Sequence, residues 1–178
     1  MTEAVAAVTA SVAAPLRGKK RWSYLSRELT LRLATLNEDN SIYLSSLWFV
    51  VVDETIYLPI DAAGRHAENL RSGRAMSALV DSGNEYTTVA GVRIIGSAGP
   101  VDDPELVERL EHVVGEKYFH EGHPLAEAYF LFGKTVGRTY FKVSTDKMAG
   151  WDTRETTTAQ VTEVHELPDF VKDRLRNG

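Results

Sequence analysis

Residues 42–60 read IYLSSLWFVVVDETIYLPI, and this stretch decides the fold. The run from Ile42 to Val52 is too apolar and too rich in β-branched and aromatic residues for a surface helix, so it predicts a strand. Asp53 and Glu54 follow as a turn, and Thr55–Ile60 is predicted to be the next strand. The stretch therefore indicates a domain built mainly from β-strands.

Upstream of this stretch the sequence predicts a helix and a hairpin. A short helix is expected over Ser23–Leu29, because Leu25 and Leu29 form an i, i+4 apolar pair and a serine is available as a cap. Apolar and polar residues alternate from Leu31 to Thr35, and the polar turn Asn37–Asn40 follows. These signals extend the antiparallel sheet by one strand.

Downstream, the sequence predicts three further strands, over Ala75–Asp81, Tyr86–Val101 and Gly137–Ser144. The second of them contains glycines at the spacing typical of bulges or sharp bends, namely Gly91, Gly96 and Gly99. Bends of this kind curl a sheet into a barrel. The predicted fold class is therefore mainly β, a barrel of six mostly antiparallel strands with flanking helices.

One amphipathic helix is clearly indicated after these glycines. Asp103 caps it, Pro104 occupies its first turn, and an apolar stripe continues to about Tyr118. A shorter helical segment is predicted over Glu127–Phe132. Both helices lie outside the predicted sheet.

Composition limits the classes of function. The chain has 178 residues, 43% of them hydrophobic, which suits one domain or one half of a symmetric dimer. A net charge of -5 argues against nucleic-acid binding, and the absence of cysteine excludes disulfides and thiolate metal sites. No window approaches the roughly 18–20 apolar residues of a membrane span, so a soluble, cytoplasmic protein is expected. We predict a flexible N-terminal tail over residues 1–21, a barrel domain over 22–152 and a C-terminal extension over 153–178.

Residues 64–81, GRHAENLRSGRAMSALVD, place three arginines and a histidine between two predicted strands. One interpretation is a solvated helix whose arginines only keep the surface polar. The other is capture of a phosphate, because Arg65, His66 and Asn69 cluster on the first turn of a helix that follows a buried strand. The residues alone leave both open.

The order of these segments resembles the split-barrel family typified by pyridoxamine 5'-phosphate oxidase. It covers roughly Leu25 to Asp152 and is closest to the actinobacterial branch of flavin and deazaflavin oxidoreductases. The resemblance implies a six-stranded antiparallel split β-barrel of the FMN-binding type, which forms a homodimer with a cofactor cleft at each side of the subunit interface. The implied cofactor is FMN or F420.

The resemblance also implies a set of cofactor-binding residues. Arg65, His66 and Asn69 are expected to anchor the phosphate, with His66 where the family carries lysine and Asp61 near the position of a family hydroxyl. The flavin ring is expected to lie against two strands, at Ser45, Ser46, Leu47 and Trp48 and at Pro59 and Ile60. The alternative for Trp48 is a core aromatic residue of the sheet.

A segment near the end of the predicted domain completes the implied site. Trp151 begins a Trp-Asp-x-Arg pattern that ends at Arg154, and Lys147 precedes it. Lys147, Trp151 and Arg154 are expected to reach the partner subunit's cleft. The alternative is that Trp151 only closes the barrel, with Asp152 and Arg154 forming an ion pair. No catalytic residue and no metal ligand is assigned.

The implied function is hydride transfer between bound FMN or F420 and a small planar substrate. Two alternatives stay open: a haem protein on the same fold, with a histidine such as His66 as axial ligand, or a barrel that binds a ligand without turnover. His120 and His123 do not indicate a metal site, because Gly122 and Pro124 interrupt the helix that such a site needs.

Overall fold

The structure of the chain, a computed structural model, describes residues 8–161 and Asp169. Eight strands and four helices lie within these residues. The strands are Val8–Pro15 (β1), Leu31–Leu36 (β2), Ile42–Leu47 (β3), Val50–Val52 (β4), Thr55–Asp61 (β5), Met76–Ser82 (β6), Ala90–Pro100 (β7) and Arg138–Val161 (β8). The helices are Gly18–Arg27 (α1), Arg65–Arg71 (α2), Pro104–Tyr118 (α3) and Ala126–Thr135 (α4).

The strands form one antiparallel sheet in the order β3-β2-β6-β7-β8-β5-β4, and β1 pairs with the far end of β8. The prediction of a mainly β, antiparallel fold with flanking helices is confirmed. The described residues contain eight strands where the sequence predicted six. The two end strands of the path, β3 and β4, are consecutive in the chain, so the sheet is split at Trp48 and Phe49.

This split accounts for one of the two extra strands. The sequence predicted one strand from Ile42 to Val52, and the structure interrupts it at Trp48. Phe49 is fully buried, and α3 supplies the hydrogen bonds that a strand partner would otherwise give: Phe49 N–H donates to the Tyr118 hydroxyl (2.9 Å), and the Phe49 carbonyl accepts from Lys117 Nζ (2.9 Å). Since every residue of the run is compatible with a strand, its sequence carries no signal for the break.

The other extra strand lies where the sequence predicted a flexible N-terminal tail. Residues 8–15 form β1, paired antiparallel with β8, and α1 begins at Gly18, five residues before the predicted helix. No side chain caps α1, so the predicted serine cap is wrong. The predicted C-terminal extension begins inside β8, which continues to Val161. The remaining parts of both terminal predictions, except Asp169, lie outside the described residues.

The irregularity predicted at the glycines of β7 occurs at Gly96, but the extra residue belongs to the neighbouring strand. Ile95 lies opposite Lys147 and Gly96 lies opposite Thr145, so Asp146 of β8 is the unpaired residue of the bulge. A Cβ at Gly96 would overlap the carbonyl oxygen of Ser144, so only glycine allows the strands to approach this closely. The long strand β8 pairs with β7 through this bend and with β5 at its start, which wraps the sheet around its core.

Two apolar clusters hold the fold together. One fills the concave side of the sheet and includes Leu25, Leu33, Phe49, Leu58 and Phe141. The other lies between α3 and strands β4, β5 and β8, where its buried members are Val50, Val52, Tyr57, Leu110, Val114 and Tyr140. The second cluster fixes α3, and therefore the split, relative to the sheet. No helix of the described residues is long and apolar enough to cross a membrane.

Candidate functional site

An open groove of about 380 Å³ lies where the sheet is split, between β3 and the end of β5. Its volume falls in the range of about 300–1,000 Å³ in which small-molecule sites occur. Nine of the residues that the sequence assigned to a cofactor line it: Ser45, Ser46, Leu47, Trp48, Pro59, Ile60, Asp61, Arg65 and His66. The structure therefore brings most of the predicted set to one place.

Two strand edges without a sheet partner border the groove. In the part of the chain that the structure describes, β3 pairs with β2 alone, so its other edge is unpaired. β4 pairs with β5 only as far as Val50 opposite Tyr57, so the remainder of β5 pairs with β8 alone. Backbone N–H and C=O groups along such edges need partners, and a ligand in the groove can supply them.

Arg138 balances the charge of Asp61 inside the groove. Its Nε lies 3.2 Å from Asp61 Oδ1, directly across the β5–β8 ladder, and its Nη1 donates to the Tyr129 carbonyl at 3.2 Å. The guanidinium also lies 4.1 Å from the centre of the Tyr129 ring, and only 14% of the side chain is exposed. The sequence placed an unpaired acid at this position, and the structure pairs it.

The His66 ring links the hydroxyl groups of Thr35 and Ser45. Its Nδ1 lies 3.0 Å from Thr35 Oγ1 and its Nε2 lies 2.8 Å from Ser45 Oγ, and burial lowers its pKa below the usual value. Thr35 already accepts a hydrogen bond from Asn69, and in the described residues Nδ1 is the acceptor available to its hydroxyl. Thr35 then donates to Nδ1, Nε2–H donates to Ser45, and the Ser45 hydroxyl proton stays free to point into the groove. His66 thus positions Ser45. A neutral imidazole does not supply the positive charge of the lysine that the family carries at this position.

Asn69 lies behind the groove and does not line it. It is buried, and its amide donates to Thr35 Oγ1 at 3.0 Å and to Asn37 Oδ1 at 2.9 Å. These bonds tie α2 to β2 and to the β2–β3 turn. Asn69 supports the network that holds His66, and the structure gives it no contact with the groove.

The arginines of the cationic stretch have separate partners. Arg65 lines the groove, is about half exposed and pairs with Glu68 at 2.8 Å. Arg71 donates to the Ala62 carbonyl at 2.6 Å, and Arg74 donates to the Leu36 carbonyl at 3.4 Å. Of the three, only Arg65 lines the groove. Arg71 and Arg74 bind backbone carbonyls of other segments, so neither interpretation describes them.

Lys147 and Trp151 lie on the outer face of the sheet, away from the groove of their own chain. Trp151 packs over Gly91 on the neighbouring strand, where a Cβ would come within 2.5 Å of the indole ring. Asp152 and Arg154 form the forked ion pair named as an alternative, with two N–O distances of 2.8 Å. Within one chain, neither Lys147 nor Trp151 reaches the predicted site.

Four residues that the sequence does not predict line the groove: Tyr43, Gly64, Tyr129 and Arg138. Tyr43 packs against the His66 ring at 4.6 Å between centroids. Tyr129 and Arg138 come from α4 and the start of β8, far from β3 in sequence. For Arg138 the sequence signal is the antiparallel register of β5 and β8, which sets it opposite Asp61.

His120 and His123 contact each other, with 5.1 Å between ring centroids. Among the described residues no group of three or more His, Asp or Glu side chains is placed to hold a metal ion. His112 lies elsewhere on α3, where it pairs with Glu116 at 3.2 Å. His165 lies outside the described residues.

Acid should destabilise the fold through His66. Because burial lowers the pKa of His66 below its usual value of 6.5, the unfolded chain binds the proton more tightly. The stabilising contribution is fully present above pH 6.5 and is lost as the pH falls through the lowered pKa. Urea unfolding at pH 7 and pH 5 should show a smaller fall in unfolding free energy for His66→Gln than for the wild type. His120→Gln, at an exposed histidine, should follow the wild-type curve; an equal fall in all three proteins would contradict the assignment.

Residues 21–143 match the family model described as pyridoxamine 5'-phosphate oxidase, and no curated protein matches the chain. A conserved hypothetical protein from Mycobacterium tuberculosis is 27% identical, with a TM-score of 0.67 over 80% of this chain and 89% of its own. A FAD-binding protein from Mesorhizobium loti is 16% identical, with a TM-score of 0.58 over 82% of this chain and 98% of its own. The haem storage protein of Vibrio cholerae is 18% identical, with a TM-score of 0.61 over 80% of this chain and all of its own (100%). Since the family model covers more than half of the sequence and the fold agrees with it, the chain belongs to the pyridoxamine 5'-phosphate oxidase family.

Proposed function

We propose that this chain binds FMN or the deazaflavin F420 in the groove and acts as an oxidoreductase on a small planar substrate. The observation that carries the proposal is the pair of unpaired strand edges, with Arg65 and Arg138 beside Asp61 at one end. Family membership and structural relatives named as flavin-binding support a flavin-type ligand.

The donors of the groove suit a flat, polar-edged ring with an anionic tail. Main-chain groups along Ser45–Leu47 and the Asp61 N–H suit the ring's polar edge, and Pro59, which has no N–H, turns its carbonyl to the same open edge of β5. Arg65 is available to a phosphate by exchanging its exposed partner Glu68, because such a surface pair is worth only about 0–1 kcal/mol. A bound flavin or deazaflavin would supply the hydride chemistry, while the chain orients it and Trp48 limits access of water from the side.

Haem is the second candidate because a haem storage protein shares the fold. His66 is the described histidine that lines the groove, and both of its ring nitrogens are hydrogen-bonded to Thr35 and Ser45. An axial bond to iron would have to replace one of these contacts. The arrangement therefore favours the flavin-type ligand.

The absorption spectrum of the protein, purified from a host that makes FMN, F420 and haem, tests the proposal. Released ligand is identified by mass spectrometry, and the loaded protein is assayed for reduction by a nicotinamide or F420 donor. Flavin or deazaflavin bands are expected. A Soret band would replace the proposal with haem chemistry, and a colourless protein that takes up none of the three would overturn both.

We propose further that the protein is a homodimer whose clefts both subunits complete. The outer face of β3, β2, β6, β7 and β8 carries a groove of about 630 Å³ that includes Leu44, Leu79 and Trp151. Ile42 and Leu44 are 69% and 62% exposed. Arg32 and Arg93 line the same groove, and an exposed surface that combines large apolar side chains with arginines is typical of a protein interface. Covering it with a second copy would bring Lys147 and Trp151 of one chain near the other.

Leu44→Lys tests this dimer. An ammonium here would lose its hydration under a second copy and would lie in a groove that Arg32 and Arg93 also line, so we expect the dissociation constant of the dimer to rise at least tenfold. Sedimentation velocity over a concentration series measures it. The matched control is Leu29→Lys, at a residue 53% exposed outside that face, which should behave as the wild type. Equal dissociation of both variants, or a monomeric wild type, would contradict the proposal.

A further inference from the structure

A second cavity of about 470 Å³ adjoins the groove on the far side of Trp48 and Tyr129. These two residues line both cavities and form the boundary between them. The other walls come from the end of α3 and from α4, and include Tyr118, Phe119 and Phe132. We call it the aromatic pocket. Its size alone suits a small molecule.

The walls of the aromatic pocket are fixed in place. The Trp48 and Tyr118 rings stack with centroids 4.2 Å apart and planes 7° apart, and Phe119 packs edge-on against Trp48 at 5.6 Å. The Tyr118 hydroxyl also bonds the backbone at Phe49 and Leu29, and Arg138 holds Tyr129 from the groove side. Tyr118 and Tyr129 are anchored by contacts outside the pocket, and Trp48 and Phe119 pack against them, so this part of the wall is formed without a ligand.

The chemistry of the aromatic pocket selects against charge. Of the described residues that line it, none is Asp, Glu, Lys or Arg, and His123 is the one ring nitrogen donor or acceptor beside the tyrosines and the indole. Its rim exposes Leu125 and Phe132, which are 62% and 55% accessible. A charged ligand would lose its hydration here without gaining a partner, whereas a flat aromatic ring would stack on Trp48, Phe119 or Tyr129.

We propose that the aromatic pocket binds the uncharged aromatic part of the substrate, whose reacting end reaches the groove over the solvent-side edge of the wall that Trp48 and Tyr129 form, with ring centroids 5.1 Å apart. This assignment rests on the proposed function, because it places the substrate beside the cofactor. It narrows the substrate class to neutral, planar, largely apolar molecules. Pyridoxamine phosphate carries a charged phosphate, for which the walls of the aromatic pocket offer no partner.

Isothermal titration with 2-naphthol, neutral at pH 7, and its anionic analogue 2-naphthoate tests the pocket without any turnover. The test variant is Ala128→Phe, which adds a ring to a residue that lines the pocket. The control is Leu131→Phe, at an exposed position of the same helix that does not line it. We expect 2-naphthol to bind the wild type and Leu131→Phe equally and Ala128→Phe at least tenfold more weakly, with 2-naphthoate at least tenfold weaker than 2-naphthol on the wild type.

Several results would overturn the inference: no binding of 2-naphthol, equal binding to Ala128→Phe, or equal affinity for the two probes. Sedimentation of the same samples reveals whether a second copy fills the pocket, since Ala128→Phe would then dissociate a dimer instead of a ligand. Titration with FMN and F420 separates the two proposals. Cofactor binding without 2-naphthol binding overturns the pocket alone, and 2-naphthol binding without cofactor binding overturns the proposed function alone.

Discussion

Replacing Arg138 with glutamine is expected to weaken FMN or F420 binding at least 30-fold. The guanidinium is largely buried, and it neutralises Asp61 at the end of the groove where an anionic cofactor tail would lie. Its loss leaves a carboxylate facing a phosphate and frees Tyr129, which it contacts at 4.1 Å. The Asp61 side chain is 46% exposed, so the figure that applies is the about 1.5–3 kcal/mol of a hydrogen bond to a charged group, and 2 kcal/mol corresponds to the 30-fold loss.

Fluorescence titration of the variants against each cofactor measures this effect. Arg27→Gln is the control, because it removes the same charge from α1, where Arg27 donates a hydrogen bond to the exposed Ser23 hydroxyl four residues away. The double variant Asp61→Asn with Arg138→Gln removes both charges and should regain part of the affinity. Thermal melting of each protein separates lost binding from lost folding. Equal affinity of the Arg138→Gln and Arg27→Gln proteins would contradict the role assigned to Arg138.

Gly96→Ala is expected to destabilise the fold by about 3 kcal/mol, the upper part of the range for overpacked sites. The new Cβ would overlap the Ser144 carbonyl oxygen at the bulge between β7 and β8. Because the obstacle is backbone, no side-chain rotation relieves it, and the strands must separate where the sheet bends. Groove residues on β5 and β8 would shift with them.

The control for Gly96→Ala is Gly99→Ala, three residues along the same strand. A Cβ at Gly99 meets nothing within 4 Å, so its unfolding free energy should stay within about 0.5 kcal/mol of the wild type. Urea denaturation of the three proteins provides the comparison. Equal stability of the two variants would show that the bend does not depend on the close approach at Gly96.

The sequence sufficed for much of the sheet and most of the groove, because both depend on local patterns. Strand periodicity and turn residues around Asp53 place β5, and the stretch after it places Arg65 and His66. Spacing of glycines in β7 predicts the bulge at Gly96. Groove residues that are neighbours in the chain, such as Ser45 to Trp48, are therefore predicted as one group.

Long-range contacts explain what the sequence did not predict. The break at Trp48 is made by Tyr118 and Lys117 on α3, and no local pattern encodes those hydrogen bonds. Arg138 lies 77 residues from Asp61 in the chain, so the sequence shows Asp61 as an acid without a partner although the structure pairs the two side chains. The sequence predicts His66 as a phosphate anchor because it lies beside Arg65 on the first turn of a helix, whereas its partners in space are the hydroxyls of Thr35 and Ser45.

Amide chemical-shift mapping tests the central claim, that a flavin-type cofactor lies between the two unpaired strand edges. Uniformly ¹⁵N-labelled protein is titrated with FMN and, separately, with F420. We predict that the largest shifts fall on the amides of Ser45, Ser46 and Leu47 and of Ile60 and Asp61, with little change on the outer sheet face around Leu79. Shifts centred on the outer face or on α3, or no saturable shift with either compound, would contradict the claim.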